Sequence, residues 1–178
     1  MMGVMEKIEN QTIAGRYLHS DFYCLVIGNH DQDLLQNRTF SEHLNIAPIN
    51  YSQKRISSLF HLRKQGMEIA DRIILREKPN ILYLRYPLAC PLFLKFLKGI
   101  SSRGIKIITE HQSMEFHELI ELKKYHLAIS EALFGSRCLR HVHGIVGVTE
   151  EIARYEQKRT NTNQNMVCIP NGINTSKY

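Results

Sequence analysis

Apolar residues in this chain gather in short unbroken runs, and between the runs they recur at helical spacing. Val4, Ile8, Ile13 and Leu18 share one helical face, so a helix is expected to begin near Gly3. Phe22 to Ile27 is a continuous apolar run of strand length, closed by the turn Gly28-Asn29-His30-Asp31. A weaker strand is expected over Leu44 to Ile49. Ile56, Leu59, Phe60, Met67, Ala70, Ile73 and Ile74 mark a long amphipathic helix that Lys78-Pro79-Asn80 ends. Ile81 to Tyr86 reads as a strand stopped by Pro87, and Leu92 to Ser102 as a short apolar helix closed by Gly104. Strands are expected again at Ile105 to Thr109, Val142 to Val148 and Met166 to Ile169. Helices fall between them, at Met114 to Leu139, with a break expected near Gly135, and at Glu150 to Lys158.

Strand and helix therefore alternate, and the strands are apolar throughout rather than apolar at every second residue. Both features predict an α/β fold with a doubly wound parallel sheet covered by helices on both faces. The chain opens on a helix, whereas a doubly wound sheet begins with its central strand. Either the sheet is built differently or it lacks its first strand, and the latter is the expectation. The last strand runs into Pro170-Asn171-Gly172, a turn of the kind that leads onward into more protein.

The 178 residues are 43% hydrophobic and 22% charged, enough for one domain with a real core. The formal net charge of +6 favours phosphates, nucleic acid or an anionic membrane surface as partners. Four scattered cysteines with no C-x-x-C pair argue against a disulfide framework, and Cys24 and Cys168 sit in apolar runs where buried free thiols are expected. Met1 to Ser20 is polar and helical in pattern rather than a leader sequence. The richest apolar stretch, Leu88 to Ile100, is broken by Pro91, Lys95 and Lys98 and falls short of the ~20 residues a membrane span needs. A cytoplasmic location, extending to the inner membrane surface, is the expectation.

Several segments, taken in order, resemble the N-terminal half of a GT-B glycosyltransferase of the retaining family 4 type. Gly3-Val4-Met5-Glu6-Lys7, with Gln11 and Ala14, is similar to the start of that family's first helix. Ile81-Leu82-Tyr83-Leu84-Arg85-Tyr86-Pro87 resembles its strand-Arg-Pro segment, and Ile105 to His111 the strand that delivers a histidine to the interdomain cleft. His143 to Glu151 resembles the strand that usually ends in Val-Ser, with Thr149 keeping the hydroxyl. Val167 to Asn174 resembles the segment before the second domain. The resemblance implies a Rossmann-like domain over residues 1–178, cut before a C-terminal nucleotide-sugar-binding domain that carries the family's E-x7-E acidic pair. It implies a hexosyltransferase-type enzyme, of the kind that builds polysaccharides, when the two halves are joined. The donor would be a nucleotide sugar, the acceptor a glycan or lipid-linked molecule. No separate cofactor, no metal and no nucleic acid would be needed.

Each candidate residue has a plainer reading beside the functional one. His111, after Glu110 at the C-terminal end of a strand, stands where ligands sit in parallel α/β sheets. The resemblance gives it the catalytic position beside the donor sugar, with Glu110 in the substrate site; the plainer reading is a solvent-facing loop histidine. Arg85 can grip an acceptor phosphate or carboxylate with two parallel hydrogen bonds, or form an ion pair at the sheet rim. Gly3 would end the loop that faces the donor diphosphate at a helix N-terminus, or merely start a helix. Thr149, Asn171 and Gly172 would face the cleft as substrate-binding residues; the last two also suit an ordinary turn.

Other arrangements fail on spacing. His117-Glu118-Leu119-Ile120-Glu121 lacks the second histidine of H-E-x-x-H, and His141 and His143, two apart on an expected strand, have no third ligand at a recognisable distance. Lys54, Arg55, Arg63, Lys64, Arg72, Arg76 and Lys78 read as the solvated face of one helix. Lys95, Lys98 and Arg103 flank Leu92, Phe93, Leu94, Phe96 and Leu97, a mixture suited to peripheral contact with an anionic bilayer.

The function expected is therefore the acceptor-binding half of a glycosyltransferase, inactive as an isolated chain. The alternative is a basic α/β binding module for a phosphorylated ligand or nucleic acid. It is weakened because no acidic cluster or phosphate loop follows the strands and the aromatic residues lie in apolar runs rather than among the basic ones.

Overall fold

The computed structural model describes residues 24–28, 44–48, 56–160 and 164–170. The expected helix from Gly3, the turn at 29–31 and the candidates Gly3, Asn171 and Gly172 lie outside these residues. The chain divides into two compact units, Met1–Arg76 and Glu77–Tyr178.

In the first unit, β1 (Cys24–Gly28) pairs in parallel with β2 (Leu44–Pro48), in register from Cys24 opposite Leu44 to Gly28 opposite Pro48. Helix α1 (Ile56–Glu77) follows, and Lys64, Arg72 and Arg76 on it are exposed, as a solvated face requires. Lys78 ends the helix with a left-handed backbone, φ 47°, just before Pro79.

The second unit holds a four-stranded parallel sheet in the order β3-β4-β5-β6. Its elements are β3 (Ile81–Arg85), α2 (Pro91–Ser101), β4 (Lys106–His111), α3 (Glu115–Glu121), α4 (Tyr125–Leu139), β5 (Gly144–Gly147), α5 (Glu150–Thr160) and β6 (Asn165–Cys168). Right-handed crossovers that advance one strand each time put α2, α4 and α5 on the same face of this sheet. There α2 packs on β4 and α4, and α5 packs on α4, β5 and β6. The core lies between: Phe93, Leu97 and Ile100 of α2, Leu139 of α4, and Ile107 and Ile145 of the strands are all fully buried. The α/β class and the parallel Rossmann-like sheet are thus as the apolar runs predicted.

Three local expectations are corrected. Helix 114–139 does not break near Gly135; it breaks at Leu122 to Lys124. The Lys123 N–H bonds Ile120 O at 3.0 Å and the Lys124 N–H bonds Leu119 O at 2.8 Å, closing α3 in a Schellman motif with Lys123 at φ 56°. His141 and His143 precede β5 rather than lie on it. Val142 N bonds Leu139 O to complete the turn after α4, and His143 Nδ1 accepts from the Ile107 N–H at 3.1 Å, a structural role. Cys168 is exposed, not buried, on the edge strand β6.

On α2 the apolar side chains divide by burial. Phe93 and Leu97 are buried, and Leu92, Leu94 and Phe96 are half-buried. Among the described residues no helix is long and apolar enough to cross a membrane.

Candidate functional site

Strand alternation sorts the candidates before any side chain is placed. Arg85 is opposite Glu110 in the β3–β4 register, so Ile81, Tyr83 and Arg85 share a face with Lys106, Ile108 and Glu110. Thr109 and His111 point to the other face, into the layer of α2, α4 and α5. There His111 is fully buried and meets polar groups on every side. Its Nδ1 lies 3.3 and 3.4 Å from the two carboxylate oxygens of Glu115 and 3.8 Å from Glu156 Oε2. Its Nε2 lies 3.1 Å from Thr109 Oγ1, and its ring stacks on Tyr86 at 4.4 Å. A carboxylate can only accept, so Nδ1 carries a hydrogen toward Glu115. The solvent-facing reading of His111 does not hold.

Beyond His111 the network continues through two wholly buried glutamates. The Arg159 guanidinium bonds Glu156 through Nη1 at 2.8 and 2.9 Å and Glu131 through Nη2 at 2.6 Å. Three buried carboxylates thus face one arginine and one histidine. Burial pushes the Glu156 carboxyl up to about 7, with His111 and Arg159 pulling the other way. Burial works against the Arg159 charge too, but Glu156 and Glu131 outweigh it and raise its pKa. Burial, reinforced by Glu131, lifts the Tyr86 phenol well above its ordinary value. Gly135 makes room for this junction: a Cβ there would overlap the Arg159 guanidinium and lie 2.6 Å from Glu131 Oε1.

His111, Glu115 and Glu156 bring their ligand atoms within 4.8 Å of one another, a spacing that a metal ion could bridge. Arg159 Nη1, bonded to both oxygens of Glu156, already supplies positive charge at that point, so the chemistry of the set fits a dication poorly.

The same network fixes a loop. Glu131 accepts the Tyr86 hydroxyl at 3.0 Å and the Ala89 N–H at 2.6 Å, while the Ser130 hydroxyl donates to Ala89 O at 2.8 Å. Both backbone groups of Ala89 are therefore clamped by α4. The residue before it, Leu88, adopts a left-handed φ of 64°, which a branched side chain resists.

That loop walls a cavity of about 230 Å³ at the C-terminal ends of β3 and β4. Arg85, Tyr86 and Leu88 form one side; Gln112, Ser113 and Glu115 another; Leu119, Lys124 and Leu127 close it. His111 lies behind this wall, touching Glu115 and Tyr86, both of which line it.

The structure thus groups Arg85 with the neighbours of His111 around one cavity. Glu110 is buried and gives its carboxylate to the Tyr83 hydroxyl and the Gln112 side-chain amide. Thr149 lies apart: its Oγ1 accepts the Ile152 N–H at 3.2 Å and caps α5, leaving its own proton to donate elsewhere. Just before it, β5 ends in close contact with α5, since a Cβ on Gly147 would lie 2.6 Å from Ala153 N. Sequence reasoning missed Tyr86, Glu131, Glu156 and Arg159. A signal existed for Glu131, because it falls in the buried stripe Ala128–Glu131–Gly135–Cys138, where a solvated charge has no place.

Searches of curated proteins and of solved structures give no match. The family model described as Glycosyltransferase Family 4 matches residues 16–177, which takes in both units and every described element. With the parallel Rossmann-like sheet and the strand-end cavity, that match establishes that the chain belongs to Glycosyltransferase Family 4.

Proposed function

We propose that this domain is the acceptor-side half of a glycosyltransferase that moves a sugar from a nucleotide sugar to a glycan or lipid-linked acceptor. The observation that carries the reading is the cavity at the C-terminal ends of β3 and β4, where open α/β sheets bind ligands. Its volume is below the range that encloses a whole small ligand, so it suits one end of a larger acceptor.

In this reading catalysis is chiefly electrostatic. A second domain of the family type holds the nucleotide leaving group, and this domain presents the acceptor hydroxyl. His111 serves from behind the cavity wall. Its Nδ1–H directs the Glu115 carboxylate, and its ring supports Tyr86. Neither the donor nor the acceptor requires a metal or a separate cofactor here. The site works on the cytoplasmic side, at the membrane surface when the acceptor is lipid-linked.

The test compares the 178-residue chain alone with the same chain fused to a nucleotide-sugar-binding domain of the family. Each is given labelled sugar nucleotides with glycan and lipid extracts. Transfer by the fusion alone, much reduced by His111→Ala, is the expected result. Turnover by the chain alone, or a fusion that transfers nothing to any acceptor, defeats the reading.

A further inference from the structure

The acceptor-side cavity contains a cation, Arg85, for which the described residues offer no carboxylate partner. Arg85 is exposed at the end of edge strand β3, and its register neighbour across the sheet is Glu110. A rim ion pair would use that carboxylate, but Glu110 is already held by the Tyr83 hydroxyl and the Gln112 amide. Among the described residues no carboxylate pairs with the Arg85 guanidinium. Glu115, also in the cavity wall, is turned back on His111. A second cation, Lys124, stands on the same wall at the start of α4. Four leucines also line it: Leu88, Leu119, Leu122 and Leu127.

Resting on the acceptor-side reading above, we propose that this cavity recognises its acceptor through an anionic group, a phosphate or carboxylate, gripped by Arg85 with Lys124 beside it. Arginine presents two parallel N–H donors that match either group. The leucines take the apolar carbons next to the charge. Glu118, the remaining carboxylate of the lining, is exposed on α3 and repels an anion, so it sets the orientation of the charged end toward Arg85.

Two sources present this chemistry: the phosphate of an isoprenyl lipid and the acid group of a charged glycan. Both can be offered to the whole 178-residue chain. Binding is followed by calorimetry and by the side-chain NMR signals of Arg85 and Gln112. The probes are geranyl phosphate, glucuronate, inorganic phosphate and, as neutral controls, geraniol and glucose.

The expected result is that an anionic probe shifts both signals and that Arg85→Gln weakens its binding about tenfold, the value of one charge-assisted contact. Lys124→Gln weakens it less, and Glu118→Gln strengthens it. All three substitutions are at exposed positions, and unchanged circular dichroism verifies the fold. Tighter binding of geranyl phosphate points to a lipid-linked acceptor, and tighter binding of glucuronate to an acidic glycan; either supports the proposal. Equal affinity in the wild type and Arg85→Gln overturns it, as does a neutral sugar that shifts the same signals as strongly. A neutral glycan bound at the cavity would leave the acceptor-side reading intact while removing this one. Silence from every probe and from the glycan extracts would remove both.

Discussion

Glu131 holds three donors at once, and replacing it should be strongly destabilising. In the wild type, Oε1 accepts from the Tyr86 hydroxyl at 3.0 Å and Arg159 at 2.6 Å, while Oε2 accepts from the Ala89 N–H at 2.6 Å. A glutamine has the same shape but only one acceptor. If its oxygen faces Tyr86 and Arg159, its NH2 meets the Ala89 N–H donor to donor. If it is flipped, the NH2 meets the guanidinium. Either way at least one buried donor loses its partner, at about 1–3 kcal/mol, and an ion pair to a wholly buried carboxylate is broken. Arg159 keeps its two bonds to Glu156, which limits the damage. The sum is about 3 kcal/mol for Glu131→Gln, and about 4–5 kcal/mol for Glu131→Ala, which strips the acceptor from the Tyr86 hydroxyl, the Ala89 N–H and Arg159 Nη2. Against a domain stability of about 5–15 kcal/mol, the alanine variant approaches unfolding. Urea titration of the glutamine variant measures the loss. Hydrogen exchange at the Ala89 amide reports the local part, and it should rise by more than amides in β4. A loss under about 1 kcal/mol, or an Ala89 amide as protected as before, would refute the view that the α4 clamp holds this loop.

Three further outcomes follow from the same interior. Gly135→Ala should destabilise by about 1–3 kcal/mol although alanine is the better helix former, because its Cβ would overlap Arg159; a gain in denaturation midpoint would contradict this. Glu156 has its folded carboxyl raised to about 7 from an ordinary 4.5, so between these values the folded state keeps a proton that the unfolded state releases. Stability should therefore fall as pH rises from 4.5 to 7, by something on the order of 3 kcal/mol, and level off above; Glu156→Gln should flatten that decline, and parallel profiles would rule it out. Exposed Cys168 should react promptly with a thiol reagent, whereas Cys138, fully buried and pushed up to about 12 by burial, should react only on unfolding, as read by mass spectrometry with and without denaturant.

Much of the second unit was legible in the sequence because its strands are short apolar runs set between polar, helix-forming stretches. Ile81 to Tyr86 and Ile105 to Thr109 stand out from their surroundings for that reason and were found within two residues. Turns marked by Pro or Gly were legible as well. The break between α3 and α4 was not, since a lysine takes the left-handed position at 123 that glycine usually occupies. For the site, charges at strand ends announce themselves, so Arg85, Glu110 and His111 could be singled out. What could not be read was which way each points. Residues 110 and 111 are adjacent, and the pleat sends them to opposite faces of one sheet. Helix charges were harder still: Glu156 and Arg159 lie in a highly charged helix that reads as a solvated face, and only pairing with each other and with Glu131 lets them be buried.

The consecutive order β3-β4-β5-β6 has a consequence for synthesis. Each new strand docks against the one made just before it, and the intervening helix lands on a face already begun. Within this described sheet no strand must wait for a partner encoded far downstream, so loop closure stays short and assembly can keep pace with a growing chain. The ion cluster is the exception. Arg159 is the last of its charges to be made, so Glu131 emerges from the ribosome before the cation that will neutralise it. Until α5 docks, sealing the helix that bears Glu131 into the core would bury a carboxylate without its arginine.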